Sequence, residues 1–155
     1  MKSNQILITQ KEFNKLKNEV KRAKDEKKEI IFTSNDDELN RKVIEKLDVD
    51  VLLINLSGRK DYQKQRDSSF NQVMAKIMKQ NKIILGVNFD EIVRSGNLKE
   101  KSEIISRIRQ NIFLCNKNKV NMLFIVQDKR NERNVHDLKS LGLVLGMPTW
   151  MTKEF

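Results

Sequence analysis

Short β-branched apolar runs alternate with amphipathic helical patterns along almost the whole chain. This alternation limits the architectures open to it more than any other feature, because it is the signature of repeated βα units on a parallel sheet. Runs at 5–9, 29–33, 51–56, 82–88 and 122–126 read as strands. The third, Val51-Leu52-Leu53-Ile54-Asn55-Leu56, is almost wholly apolar, as expected of a parallel strand covered on both faces. A first helix is expected over 11–24, turning Phe13, Leu16, Val20 and Ala23 inward. A second, capped by Ser34 or Asn35, carries Leu39, Val43 and Leu47 in one stripe. A third starts at Ser68 or Ser69 and buries Phe70, Val73, Met74, Ile77 and Met78. A helical turn at 90–93 and a Ser95-Gly96-Asn97 turn precede a long helix over 99–117, with Ile105, Ile108, Ile112 and Cys115 inward. A last helix spans 135–141, and Val144 with Leu145 reads as a sixth short strand. Phe13 and Phe113 are expected in the core.

The 155 residues contain one proline and five glycines, with no linker-like stretch, so the chain reads as a single domain over 1–155. A chain of this length can bury roughly 70% of its unfolded surface. Residues 1–10 lack the apolar core of a signal peptide, and no window reaches the ~18 apolar residues of a membrane span. A cytoplasmic location without membrane attachment is expected. Charged residues make up 34% of the chain and the net charge is +10, which favours a nucleic acid or another anionic partner.

Catalytic chemistry has little to build on. One histidine, His136, and one cysteine, Cys115, cannot assemble a zinc site of the usual His and Cys ligands. Cys115 falls on a core-facing helical stripe, and His136 reads as structural or surface. Asp61, Asp67 and Asp128 could in principle hold magnesium, but neighbouring cations would pair with them first. Ser57 has no nucleophile-elbow pattern around it, and no phosphate-loop or dinucleotide glycine pattern occurs.

Cation placement remains. Gly58-Arg59-Lys60-Asp61 follows the third strand directly, and Tyr62, Lys64 and Arg66 extend the same loop. Ligands of α/β folds bind at the carboxyl ends of strands, where this loop must lie. Lys129, Arg130 and Arg133 follow the fifth strand and would project from the same face. Arg59, Lys60, Lys64 and Arg66 are the expected phosphate contacts, with Lys129, Arg130 and Arg133 extending them and Arg41 and Arg109 in second rank. Gly58 is expected to supply the turn, Asp61 to orient Arg59 or Lys60, and Tyr62 to stack on a base or simply pack. Alanine at Arg59 and Lys60 together should then weaken RNA binding without melting the fold.

The stretch from Val49-Asp50-Val51-Leu52 through Gly58-Arg59-Lys60-Asp61 resembles protein component 3 of archaeal ribonuclease P, a family similar to the eukaryotic thirty-kilodalton subunit. Further matches keep the family's order: Leu39-Asn40-Arg41 with Glu45, Val73-Met74-Ala75, Asn88-Phe89, Arg109-Gln110-Asn111, Lys119-Val120, Asp137-Leu138, Leu141-Gly142 and Gly146-Met147. The likeness covers about residues 15–147. There are departures. Asn71-Gln72 stands where members carry Asp-His, Asn121 where they carry proline, and Val126-Gln127 where a strand ends in serine or threonine. Members also extend further at the N-terminus. The resemblance implies a TIM-barrel-like fold, akin to metal-dependent phosphoesterase (PHP-like) barrels but without their metal ligands, here shortened or incomplete. It implies a subunit that binds ribonuclease P RNA and precursor tRNA and pairs with protein component 2, a heterotetramer being one form. It also implies that the protein binds no cofactor of its own and that magnesium acts with the RNA. A small metal-dependent phosphoesterase and a protein-interaction module that binds no RNA are the alternative readings.

If the basic loops contact phosphates, log affinity for RNA falls linearly with log salt concentration, and a flat response in a binding titration would remove that assignment.

Overall fold

The computed structural model describes residues 4–153 and 155, so the first three residues of the N-terminal stretch read above lie outside it. Five strands, β1 (Gln5–Ile8), β2 (Glu29–Thr33), β3 (Val51–Ile54), β4 (Ile84–Asn88) and β5 (Met122–Ile125), form one sheet in the order β1-β2-β3-β4-β5. Every adjacent pair is parallel. The helices between them are α1 (Phe13–Asp25), α2 (Asp37–Lys46), α3 (Gln72–Asn81), α4 (Phe89–Arg94) and α5 (Leu98–Asn118). A 3-10 turn (Lys129–Asn131), α6 (Val135–Leu145) and α7 (Thr149–Thr152) follow β5. No helix among the described residues is long and apolar enough to cross a membrane.

Sequential parallel order means each right-handed crossover steps the same way, which puts the connecting helices on one face. The packing agrees. Ile30 and Phe32 of β2, Leu52 and Ile54 of β3, Leu85 and Val87 of β4, and Met122 and Phe124 of β5 share a core with Leu16 and Val20 of α1, Val43 and Ile44 of α2, Met74 and Met78 of α3, and Ile104, Ile108, Ile112 and Cys115 of α5. The opposite face holds a strand-only cluster of Ile31, Val51, Leu53 and Ile125, flanked by Leu7, Ile84 and Leu123. This is a five-stranded, singly wound α/β fold, a reduced TIM-barrel-like arrangement in which the strand-only face corresponds to a barrel interior.

Gly86 shows how strongly that face curls. A Cβ there would lie 3.0 Å from Val51 Cγ1 and 3.2 Å from Ile125 Cγ1, so side chains of β3 and β5 close over the backbone of β4. The curling lets Ile31 and Leu53 reach full burial with no helix over them.

Several sequence expectations shift. The α2 cap is Asp36, whose carboxylate accepts from the Glu38 and Leu39 N–H groups. Helix α3 starts at Gln72 behind an Asn71 cap, because Ser69 takes a left-handed φ of 56° that breaks any earlier helix. Met74, Ala75 and Met78 then face the core and Val73 is turned out, 50% exposed. On α5 the buried row Ile104–Ile108–Ile112 leaves Phe113 one residue off the stripe and 69% exposed. Val144 and Leu145 form no sixth strand. They close α6, where Leu145 joins Gly142 on the buried side, and Gly146 ends the helix at φ 108°. An apolar run this short suits either structure, and tertiary packing decided.

Gly86→Val should lower stability by roughly 1–3 kcal/mol through overpacking. Urea unfolding measures it, and an unchanged midpoint would contradict the packing described for the concave face.

Candidate functional site

The loop between β3 and α3 is the most organised polar region among the described residues, and the long helix α5 organises it. Arg107 projects from α5 with its side chain 2% exposed. Its Nε donates to Asp61 Oδ1 at 3.0 Å, Nη1 to the Leu56 carbonyl at 3.0 Å and Nη2 to the Arg59 carbonyl at 2.9 Å. One turn further along α5, Gln110 donates to the Arg66 carbonyl and the Ser68 hydroxyl, and Asn111 to the Ser68 carbonyl. Gly58, at φ 70°, makes the bend that glycine favours.

Arg59 is part of this framework. Its side chain is 12% exposed. It donates to the Asn55 carbonyl, to both oxygens of Asp37 at 2.9 and 3.1 Å, and to Asp67 at 3.1 Å. Ser69 donates to the same Asp37. Removing Arg59 would therefore strip two carboxylates of their cationic partner, so its alanine variant reports on the fold as well as on any ligand. Asp61 does not orient Arg59 or Lys60. It accepts from Arg107, from Arg66 at 3.0 Å and from the Asp67 N–H at 2.9 Å.

Outside the brace, Lys60 and Lys64 are exposed with no ion-pair partner among the described residues, Arg66 is 45% exposed beyond its bond to Asp61, and Tyr62 is 74% exposed. After β5, Arg130 is 85% exposed and grips Asp128, which also accepts from Arg94 at 2.6 Å. Lys129 is exposed, and Arg133 lies 6.0 Å from the Phe89 ring centre. Arg41 pairs with Glu45 on the surface of α2, and Arg109 is exposed on α5. His136 is exposed at the start of α6, and Cys115 is buried, which pushes its thiol far up.

The β3 and β5 loops meet at the carboxyl end of the sheet, but acids stand between their cations. A cavity of about 690 Å³ is lined by Asn55, Ser57, Lys60 and Glu91. A second, of about 600 Å³, shares Ser57 and Glu91 and runs on to Glu100, Arg94 and Arg130. Glu91 accepts from the Leu56 and Ser57 N–H groups at 2.7 and 3.2 Å, and Glu100 accepts from the Ser57 hydroxyl at 2.8 Å. The floor is a row of amides: Asn88 donates to Asn55, which donates to Asn35.

Asp61, Asp67 and Asp128 are each bonded to an arginine, and they are not gathered together. No group of three or more potential metal ligands occurs among the described residues.

Burial acts to raise the Asp37 and Asp61 carboxyls, yet both sit below the ordinary value. Hydrogen bonds from Arg59 and Ser69 outweigh burial at Asp37, and those from Arg107 and the Asp67 N–H do so at Asp61. Burial prevails at Glu91 and raises it, against its two backbone donors.

Sequence reasoning placed the loop and missed what holds it. Arg109, expected as a second-rank contact, is exposed, while Arg107, which sequence reasoning did not single out, is the buried arginine of α5. Its place beside Ile104 and Ile108 in the inward stripe was the available signal, since an arginine inside an apolar face must be paired. Nothing in the sequence pointed to Glu91 or Glu100.

This arrangement defines a TIM-barrel-like α/β domain carrying a braced cationic loop at the carboxyl end of its sheet. The fold is similar to that of a chain in the cryo-EM structure of archaeal ribonuclease P with mature tRNA, with a TM-score of 0.75 and 21% identity, covering 95% of this chain and 62% of that one. This chain thus spans less than two thirds of the solved one, and at that identity the likeness shows a common fold. No family model and no curated protein matches the sequence.

The holds on Asp37 and Asp61 contribute stability that is complete above the unfolded value of about 3.9 and lost as pH falls through the lower folded values. Glu91 acts oppositely: its contribution is present below about 4.3 and lost as pH rises through its higher folded value. Asp61→Asn should therefore flatten the acid limb of a stability–pH profile below about pH 4. Arg107→Met should cost roughly 3–5 kcal/mol by denaturant unfolding, and a loss under about 1 kcal/mol would refute the brace.

Proposed function

We propose that this protein is a subunit of ribonuclease P, of the component 3 kind, that supports the catalytic RNA in removing 5′ leaders from precursor tRNA. The observation that carries the reading is the braced β3–α3 loop. It holds Lys60, Lys64 and Arg66 outward at the ligand-binding end of a fold also found in a chain of archaeal ribonuclease P. A loop backbone held this way need not be ordered on binding, which suits a surface that must grip several phosphates at once.

In this reading Lys60, Lys64 and Arg66 hold RNA phosphate oxygens. Arg59 acts mainly from below, by fixing the backbone that presents them. Lys129, Arg130 and Arg133 extend the surface past the intervening acids, and Arg41 and Arg109 flank it. The RNA, with magnesium, performs the cleavage, and the protein supplies position and charge. Component 2 is the protein partner, in a heterotetramer, and the assembly works in the cytoplasm. The phosphoesterase reading has less behind it, because the carboxylates it would use are already engaged by arginines.

Cleavage of precursor tRNA by the cognate RNA with component 2 should speed up at moderate magnesium when this protein is added. No gain with otherwise active components would refute the assignment. Lys60→Ala with Lys64→Ala should lower the salt slope of RNA binding by about 1–2 while leaving thermal unfolding in place.

A further inference from the structure

Tyr62, the only tyrosine of the chain, stands 74% exposed on a turn whose backbone closes on itself. The Tyr62 N–H donates to the Gln65 carbonyl at 2.8 Å and the Gln65 N–H returns a bond to the Tyr62 carbonyl at 3.4 Å, closing residues 62–65 on themselves. The flanks are pinned as well, by Arg107 through Asp61 and by Gln110 through the Arg66 carbonyl. An aromatic ring held out into water on a braced turn is set up for a contact rather than for packing.

Beside it lies a cavity of about 280 Å³ between this loop and α2, lined by Tyr62, Gln65, Asn71, Met74, Arg41 and Arg66 among others. It is smaller than the roughly 300–1,000 Å³ of sites that enclose whole small molecules, and suits a single ring system. Met74 supplies an apolar wall. The Asn71 side-chain oxygen caps α3, while its amide nitrogen and the Gln65 side chain have no partner among the described residues. Such amides read base edges. Two lining carboxylates, Asp37 and Asp67, are already held by Arg59, and Glu38 lies in the first turn of α2. Arg41 and Arg66, 56% and 45% exposed, border the same cavity, each aligned by one carboxylate.

We propose that this cavity is a pocket for one unpaired RNA base, stacked on Tyr62 and edged by Gln65 and Asn71, with its flanking phosphates on Arg41 and Arg66. The inference rests on the RNA-binding reading above and narrows it: the β3–α3 loop selects single-stranded over duplex RNA. Splayed bases stacked on aromatic rings are the usual means by which proteins read RNA, whereas a paired base cannot enter.

The test compares an unstructured single-stranded oligonucleotide with a blunt RNA duplex of equal length, using the full chain and its Tyr62→Ala and Tyr62→Phe variants. Because there is one tyrosine, its ring resonances are unambiguous. The single strand should move them upfield. Tyr62→Ala should weaken that complex about ten-fold or more, Tyr62→Phe should restore it, and duplex affinity should stay as it was. If both RNAs bind with salt dependence while the ring resonances and the Tyr62→Ala affinity do not change, the base pocket is refuted and the phosphate-binding reading stands. If neither RNA binds, the RNA reading falls and the pocket with it.

Discussion

The three-way bond of the buried Arg107 guanidinium is the interaction on which the rest of the site depends. Strand β3 ends in a long connection, and its carbonyls at Leu56 and Arg59 need partners once α5 covers them. A guanidinium can satisfy both and a carboxylate at the same time because its five donors lie in one rigid plane. A lysine at that position would offer a point charge without the fork. The same bonds tie α5, which packs on the sheet, to the segment that carries the exposed cations, so the helix sets the loop's shape.

The cations therefore divide into two groups that net charge cannot distinguish. Arg59 and Arg107 are structural, turned inward and matched to carboxylates and carbonyls. Lys60, Lys64 and Arg66 face water from the same loop. The acids are equally divided in task. Asp90 accepts from the Gln127 and Asp128 N–H groups and from Asn131, and Glu91 accepts from Leu56 and Ser57, so carboxylates fasten the β5 and β3 loops to α4. These fastenings place negative charge between the two basic loops.

The curled sheet makes this arrangement possible. Gly86 lets Val51 and Ile125 approach over β4, and the concave face fills itself without a covering helix. At the carboxyl end that face changes from aliphatic to polar: Asn55 bonds to Thr33 and Asn35, and Asn88 bonds to Asn55. The loops thus open over an amide floor, above an apolar plug.

The sequence by itself determined the five strands, the βα alternation and the position of the basic loop, because local periodicity and strand-end glycine chemistry are carried by neighbouring residues. Strand positions at Ile30, Phe32, Leu52 and Leu85 are readable as core for the same reason. Only the tertiary structure decided which arginines are buried, since Arg59 meets Asp37, and Arg107 meets Asp61, across 22 and 46 residues of chain. It also decided that Val144 and Leu145 close a helix instead of forming a strand, because their short apolar run fits either state until Leu145 finds the core. Long-range hydrogen bonding has no period along a chain, so the split between framework and free charge emerges only when the fold brings the partners together.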